Sequence, residues 1–263
     1  MNIEKMKQRK QELGYSNAKI ADLSGVPLGT VQKIFSGETT SPRYTTLLAL
    51  EQVLLDYRET FSSTVHESVA PYLTKRQGEY TIEDCDRLPE DVRTELIDGV
   101  IYYMSAPTIA HQNIVGYVYA KLFHHITGKG GSCMPVISPV DVELDRDDKT
   151  RVQPDVLIVC DRSKVINRCV YGAPDFVLEV LSPSTRKKDM IIKLNKYLNA
   201  GVREYWMIDP DKKKLMLYNL QDPQDLIPEI YNFDQTVAIT VLDEPCEIDL
   251  KDMYEYIAFL YED

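Results

Sequence analysis

Two short apolar runs constrain this chain most: Val156-Leu-Ile-Val-Cys160 and Phe176-Val-Leu-Glu-Val-Leu181. Both are rich in β-branched and aromatic residues and both end at turn-forming residues, so they read as strands rather than helices. Runs that are apolar on both sides of a strand belong in the middle of a sheet covered on two faces. The chain is therefore expected to build a layered α/β domain. One residue in these runs is out of place. A lone carboxylate at Glu179 costs several kcal/mol inside an apolar strand unless it is partnered. A cation, a lysine or a hydrogen-bond network would partner it.

The neighbouring residues supply candidates. Asp155 follows Pro154 and opens the first apolar strand, and Lys193 lies on a basic helix from about Arg186 to Ala200. An ion pair between Glu179 and Lys193 would satisfy Glu179 without a metal, but it would leave Asp155 unexplained. Two carboxylates that hold a divalent cation, with a lysine beside them, are what phosphodiester cleavage needs. The pattern points to a Mg²⁺-dependent nuclease. Lys193 follows Asp189 by four residues, so both face one side of the helix, either as a surface salt bridge or beside the carboxylates. Glu95 is a third acid, read equally as a metal ligand or water-orienting group and as a charge at a hairpin edge. Lys187, Lys188 and Lys196 read as a solvated face that contacts a nucleic-acid backbone. His111, at a helix start, reads as structural more readily than catalytic. Ser182 and Ser184 have no activating histidine in sight, which argues against a serine hydrolase. Tyr197, Tyr205 and Trp206 read as core.

Around these runs, Thr81-Ile-Glu-Asp84 is a capping-box start for a short helix. Thr94 to Met104 forms two strands joined by Asp98-Gly99, a strong hairpin signal. A helix from Ala110 to Ile126 follows, then a strand pair from Cys133 to Leu144. Strands at Glu204–Ile208 and Lys214–Tyr218 close the pattern, joined by a turn at Asp209-Pro210-Asp211-Lys212.

The first 57 residues carry a different periodicity. Ile3, Met6 and Leu13 mark one helix stopped by Gly14. Ser16 can cap a second through Ile20 and Leu23, and a third begins near Leu28 after Gly25-Val26-Pro27. Pro27 sits where a helix start tolerates a missing N–H. The short connector has helix-turn-helix dimensions, with Ala21 small at the crossing and Gly25 free to take φ > 0. Val31 and Ile34 face inward, leaving Gly29, Thr30, Gln32 and Lys33 outward to meet DNA bases and phosphates. A fourth helix from Arg43 to Leu55, with Leu47, Leu48, Leu50 and Leu54, would close the bundle. A helical bundle used for dimerisation is the alternative reading. Between Thr60 and Glu79 the periodicity fades, so residues 58–79 read as a linker between a 1–57 domain and an 80–263 domain.

Composition limits the alternatives. A net charge of −11 excludes a simple nucleic-acid coating protein, which would be basic. Basic residues nevertheless cluster locally, in residues 1–33 and 186–196. No apolar run approaches the length of a membrane span. The five cysteines are scattered without a zinc or redox spacing, and Cys160 reads as a small buried residue, so a cytoplasmic location is expected.

Glu95-Leu-Ile-Asp-Gly, Pro154-Asp155, Glu179-Val-Leu-Ser-Pro-Ser-Thr185, Asp189, Lys193, Tyr197 and Ala200-Gly-Val-Arg-Glu-Tyr-Trp-Met-Ile-Asp209 together resemble the Uma-two family. That family belongs to the PD-(D/E)XK restriction-endonuclease-like superfamily, and the resemblance spans roughly residues 80–220. The N-terminal segment resembles a Cro/repressor-type helix-turn-helix domain. The resemblance implies a mixed central sheet flanked by helices, Mg²⁺ dependence with Mn²⁺ as a substitute, and Asp155 and Glu179 as metal ligands. Glu95 would assist them. The chain departs from the short superfamily motif because Val180-Leu181 follows Glu179 without a lysine. Lys193, from the next helix, is the candidate replacement. The expected activity is a DNA endonuclease targeted by its own helix-turn-helix. A transcriptional regulator with a non-cleaving nuclease-like domain, and an enzyme acting on RNA or branched intermediates, are the alternatives. A homodimer is expected if both strands are cut.

Overall fold

The computed structural model describes residues 3–12, 15–24, 26–39, 42, 44–54, 75–183, 185–221 and 226–261. The side chains of residues 4, 5, 12, 22, 23, 44, 45, 48, 51 and 52 are not among those described. Leu13, Gly14, Gly25, Arg43, Leu55, Ser184, most of the expected linker, and the side chains of Leu23 and Leu48 therefore lie outside the described residues. The chain divides into two compact units, Met1–Glu67 and Ser68–Asp263.

In the first unit, α1 (Ile3–Glu12), α2 (Asn17–Ser24), α3 (Leu28–Ser36) and α4 (Tyr44–Leu54) enclose a small core. Met6, Ile20, Val31, Ile34, Leu50 and Leu54 are fully buried in it, and Val26 joins them from the connector. Ser16 caps α2 by accepting from the Lys19 N–H (3.1 Å). Pro27 is the N-cap of α3, and Gly37 ends it at φ +88°, the left-handed conformation glycine adopts most readily. Gly29, Gln32 and Lys33 are exposed on α3 and Thr30 is half-buried.

In the second unit, Thr81 caps α5 (Ile82–Asp86) with a complete capping box to Asp84. β1 (Thr94–Ile97) and β2 (Val100–Tyr103) form the expected hairpin, with Asp98 at φ +50° and Gly99 at φ +74° in its turn. Residues 75–79, read from sequence as the end of the linker, pack against this hairpin instead. The Gly78 N–H donates to the Gly99 carbonyl (2.8 Å), and the Ile101 N–H donates to Gln77 Oε1 (2.9 Å). After the hairpin come α6 (Ile109–Gly128), β3 (Met134–Ile137), β4 (Asp141–Glu143), β5 (Val156–Val159), β6 (Cys169–Tyr171) and β7 (Phe176–Val180). A π-helical turn (Lys188–Lys193) runs into α7 (Leu194–Ala200). Then follow β8 (Glu204–Asp209), β9 (Lys214–Asn219), β10 (Glu229–Asn232), β11 (Thr236–Ile239), β12 (Cys246–Asp249) and α8 (Leu250–Glu255).

The central sheet has six strands in the order β10-β9-β8-β7-β5-β3, with β7 and β8 parallel and the other pairs antiparallel. Cys133 to Leu144 is not a strand pair. β3 pairs with β5, whereas β4 pairs with β6 in a separate ribbon. Strand alternation sorts the core into two layers. Val156, Ile158, Phe176, Leu178 and Trp206 face α6. Leu157, Val159, Val177, Leu181, Tyr205 and Met207 face α7 and the β4/β6 ribbon. By the same alternation Asp155 and Glu179 belong to the α7 layer.

The register also pairs cysteines that the sequence leaves apart. Met134 lies opposite Val159, so Cys133 falls opposite Cys160, and the two are disulfide-bonded with a Cα–Cα separation of 3.9 Å. Cys160, expected to be a small buried residue, is thus half-buried and disulfide-bonded. No described helix is long and apolar enough to cross a membrane.

Candidate active site

A cleft of about 600 Å³ opens where the ends of β5 and β7 meet the start of α6 and the π-helical turn. Asp155, Glu179, Glu95, Lys193, Lys188, Asp189 and His111 all line it. The four residues singled out from sequence as catalytic are therefore brought together.

Asp155 and Glu179 sit side by side because Val156 pairs with Leu178 and the ladder continues one residue outward. The Val180 N–H fixes Asp155 by donating to its Oδ2 (2.7 Å). On the other side, His111 Nε2 lies 3.2 Å from Asp155 Oδ2. Burial opposes a charge on His111, but the bond to Asp155 prevails and raises its pKa above the usual value. His111 reaches this position because Thr108 caps α6, with its Oγ1 accepting from the His111 N–H (3.2 Å).

Glu179 accepts from Lys193 Nζ (2.7 Å) and from the Tyr197 hydroxyl (2.8 Å), both through Oε1. Only 4% of Glu179 is exposed. Burial pushes its carboxyl well above the usual range, and the neighbouring Asp189, Asp155 and Glu95 push the same way against Lys193. Lys193 Nζ also lies 2.6 Å from Glu95 Oε1 and 3.7 Å from Asp189 Oδ1. Although burial disfavours its charge, these carboxylates hold the Lys193 ammonium well above the usual lysine value.

Glu95 is fully buried and serves as the anchor for the lysines. Its Oε2 accepts from Lys188, and its Oε1 accepts from the Gln153 N–H (2.9 Å) besides facing Lys193. Burial would raise its pKa, but Lys188 and Lys193 together hold it down to about 2. The hairpin-edge reading of Glu95 is thereby replaced. Both Glu95 oxygens are engaged by ammonium groups, whereas Glu179 meets Lys193 through Oε1. Among the described residues no three His, Cys, Asp or Glu side chains converge into a ready-made metal cage.

The π-helical turn explains how both lysines reach Glu95. Its i→i+5 hydrogen bonding brings residues five apart onto one side of the helix, and Lys188 and Lys193 are five apart. Lys188 is therefore a cleft residue and not part of a solvated face. Lys196 is also tied down, bridging Asp98 (2.7 Å) and Asp145. Tyr197 was readable only as core, yet its position four residues after Lys193 puts it on the same helical face, the one available sequence signal for its role.

The donor set suits a small hard cation. Four carboxyl groups (Glu95, Asp155, Glu179, Asp189) share the cleft with two lysines (Lys188, Lys193) and with His111, which pairs with Asp155. Asp189 Oδ1 is buried and accepts no hydrogen bond. Of these four carboxyl groups Asp155 and Glu179 are the more exposed, at 14% and 5% of the side chain, and Mg²⁺ is typically held by one or two carboxylates plus waters.

Comparison with known proteins agrees with this architecture. Residues 6–54 match the helix-turn-helix family, and residues 82–250 match the Uma2 family, described as "Putative restriction endonuclease". An uncharacterized protein of Synechocystis sp. is 25% identical over 166 residues, covering 63% of this chain and 85% of its own length. The crystal structure of "a putative nuclease belonging to DUF820" from Anabaena variabilis superposes with a TM-score of 0.55 at 20% identity, covering 67% of this chain and 98% of that one. With a helix-turn-helix at its N-terminus and a restriction-endonuclease-like fold behind it, the chain belongs to the Uma2 family.

Proposed function

We propose that the second unit is a Mg²⁺-dependent DNA endonuclease and that the helix-turn-helix delivers it to DNA. The observation that carries this reading is the buried Lys193 held against Glu179 at 2.7 Å, with Asp155 beside Glu179, in an open cleft lined by carboxyl groups. It supplies from a helix the lysine that the strand motif lacks. Asp155 and Glu179 would hold the cation, with Mn²⁺ as a substitute. Once bound, such an ion stabilises charge on the scissile phosphate and lowers the pKa of a coordinated water.

The chain's own residues supply the rest. Tyr197 and Lys193 fix the Glu179 carboxylate, and the Val180 N–H and His111 fix Asp155, so both acids are oriented before substrate arrives. Lys193 presents an ammonium at the cleft floor, where it steadies the attacking water or the phosphate charge. Glu95 holds Lys188 and Lys193 in place and helps to keep Lys193 charged. Gly29, Thr30, Gln32 and Lys33 on α3 are the proposed DNA-contacting residues, and cutting both strands would take a homodimer.

The test is incubation of supercoiled plasmid with Mg²⁺, Mn²⁺ or EDTA, beside the Glu179→Ala variant. Metal-dependent nicking lost in the variant is the expected result. Plasmid left intact in every metal, yet retarded on a gel, would replace the nuclease with a DNA-binding regulator.

A further inference from the structure

We infer that the mouth of the cleft is a nucleobase subsite, so that the substrate class is DNA with an unpaired, extruded base next to the scissile phosphate. This rests on the nuclease reading above and sharpens it. The cleft floor is charged, but its mouth is apolar. Ile109, 69% exposed, and Leu260, 40% exposed, both line it, together with Met104, Pro107 and Pro183. Ile109 is the first residue of α6, two positions before the His111 that touches Asp155, so the apolar mouth lies within one helical turn of the candidate chemistry.

Leu260 is held from the opposite side of the chain. It lies in a 3₁₀ turn (Ala258–Tyr261) that is anchored by the buried Ile257 and by Tyr261 against Tyr254, with ring centroids 5.9 Å apart. The same segment exposes Tyr256 (73%) and Phe259 (67%). Single exposed apolar side chains are ordinary, whereas Ile109 and Leu260 together at the rim of a charged cleft mark a contact surface.

The electrostatics point the same way. A paired duplex is gripped through its phosphates by lysines and arginines. Those lining the cleft are already engaged: Lys188 and Lys193 by Glu95, and Arg93 by Gln153 Oε1 (3.0 Å). Arg186 beside it is spent on Asp209 and also reaches Asp211 of the lining at 3.5 Å. What the mouth offers a nucleic acid is apolar surface for an extruded base to lie against. A space of about 600 Å³ falls in the range of small-ligand pockets, enough for one extruded nucleotide but not for a double helix.

The experiment compares two duplexes identical except for one bulged 2-aminopurine, using the full-length chain so that the helix-turn-helix contribution is common to both. Binding is read in EDTA by 2-aminopurine fluorescence and anisotropy, and cleavage in Mg²⁺. The bulged duplex should bind on the order of tenfold tighter. The Ile109→Ser/Leu260→Ser variant, with an unchanged melting temperature, should lose that preference while keeping its affinity for the paired duplex. Equal binding of both duplexes overturns the subsite, and so does a preference that survives the double substitution. A variant that alters only the sedimentation coefficient overturns it as well, making the apolar mouth a contact between copies of the chain. The two readings fail separately. A bulge preference without cleavage in any metal keeps the subsite and removes the nuclease, whereas cleavage without bulge preference does the reverse.

Discussion

Lys193→Met keeps the length of a side chain that is 2% exposed and removes the one ammonium shared by three carboxylates. Glu95 would then keep Lys188, whereas Glu179 would be left with the Tyr197 hydroxyl. Deleting one partner of a buried pair typically costs about 3–5 kcal/mol. For a unit of this size each kcal/mol shifts the melting temperature by about 2–4 °C, so a drop of roughly 6–20 °C is expected. The chain's single tryptophan, Trp206, is fully buried in β8, so its fluorescence follows the second unit without interference from the first. The deficit should also depend on pH. Without Lys193 the already raised Glu179 carboxyl rises further. The stability tied to such a group is present below its ordinary pKa and is lost as pH rises through the folded value. The melting deficit should therefore be small near pH 5 and largest near pH 8. Adding Glu179→Gln should recover part of it, with a coupling of about 1–3 kcal/mol. A variant melting within about 2 °C of the parent at pH 8, or one more impaired in acid, would refute the placement of Lys193 as the central cation.

The other predictions concern the same cluster and the DNA-binding helix. Glu95 is held at about 2 against an ordinary 4.5, so the stability it contributes is present above 4.5 and lost as pH falls toward 2. Urea unfolding followed by Trp206 between pH 2 and 5 should show this acid limb in the parent and a flattened one in Glu95→Gln. Mg²⁺ at a hundredfold excess over its Kd should stabilise the second unit by about 2.7 kcal/mol. EDTA should reverse that gain and Asp155→Asn should abolish it; an equal thermal shift in the variant would remove Asp155 from the metal site. On α3, Lys33→Ala should weaken binding to duplex DNA of any sequence and lower the salt slope by about one, measured by anisotropy across a salt titration. An unchanged slope would take Lys33 off the phosphate backbone.

Strand periodicity made the two central acids legible. A period of two carries Asp155 with Leu157 and Glu179 with Val177 onto one face, and no knowledge of neighbouring elements is needed. Asp98-Gly99 was equally local, because positive φ at both turn positions is written into those residue types. Whatever depended on pairing between distant segments was not legible. Cys133 and Cys160 are 27 residues apart, and only the β3–β5 register sets them opposite one another. The strands after residue 229 are short and partly exposed, too weakly patterned to stand out. Lys188 failed for a subtler reason. On a regular α-helix, residues five apart point in different directions, so Lys188 reads as surface when Lys193 reads as buried. The π-helical turn removes that difference, and it forms where Glu95 offers two oxygens to two lysines. Glu95 in turn reaches them because Leu96 and Arg151 exchange backbone hydrogen bonds at 2.8 and 2.7 Å, docking the hairpin onto the segment that leads into β5. An acid's identity is thus visible in a sequence, but its role follows from which cations the fold brings to it. By that rule Glu95, wrapped by two lysines, holds cations of the protein itself, while Asp155, fixed by His111 and the Val180 N–H, and Glu179, fixed by Lys193 and Tyr197, are the acids we propose to hold one from outside.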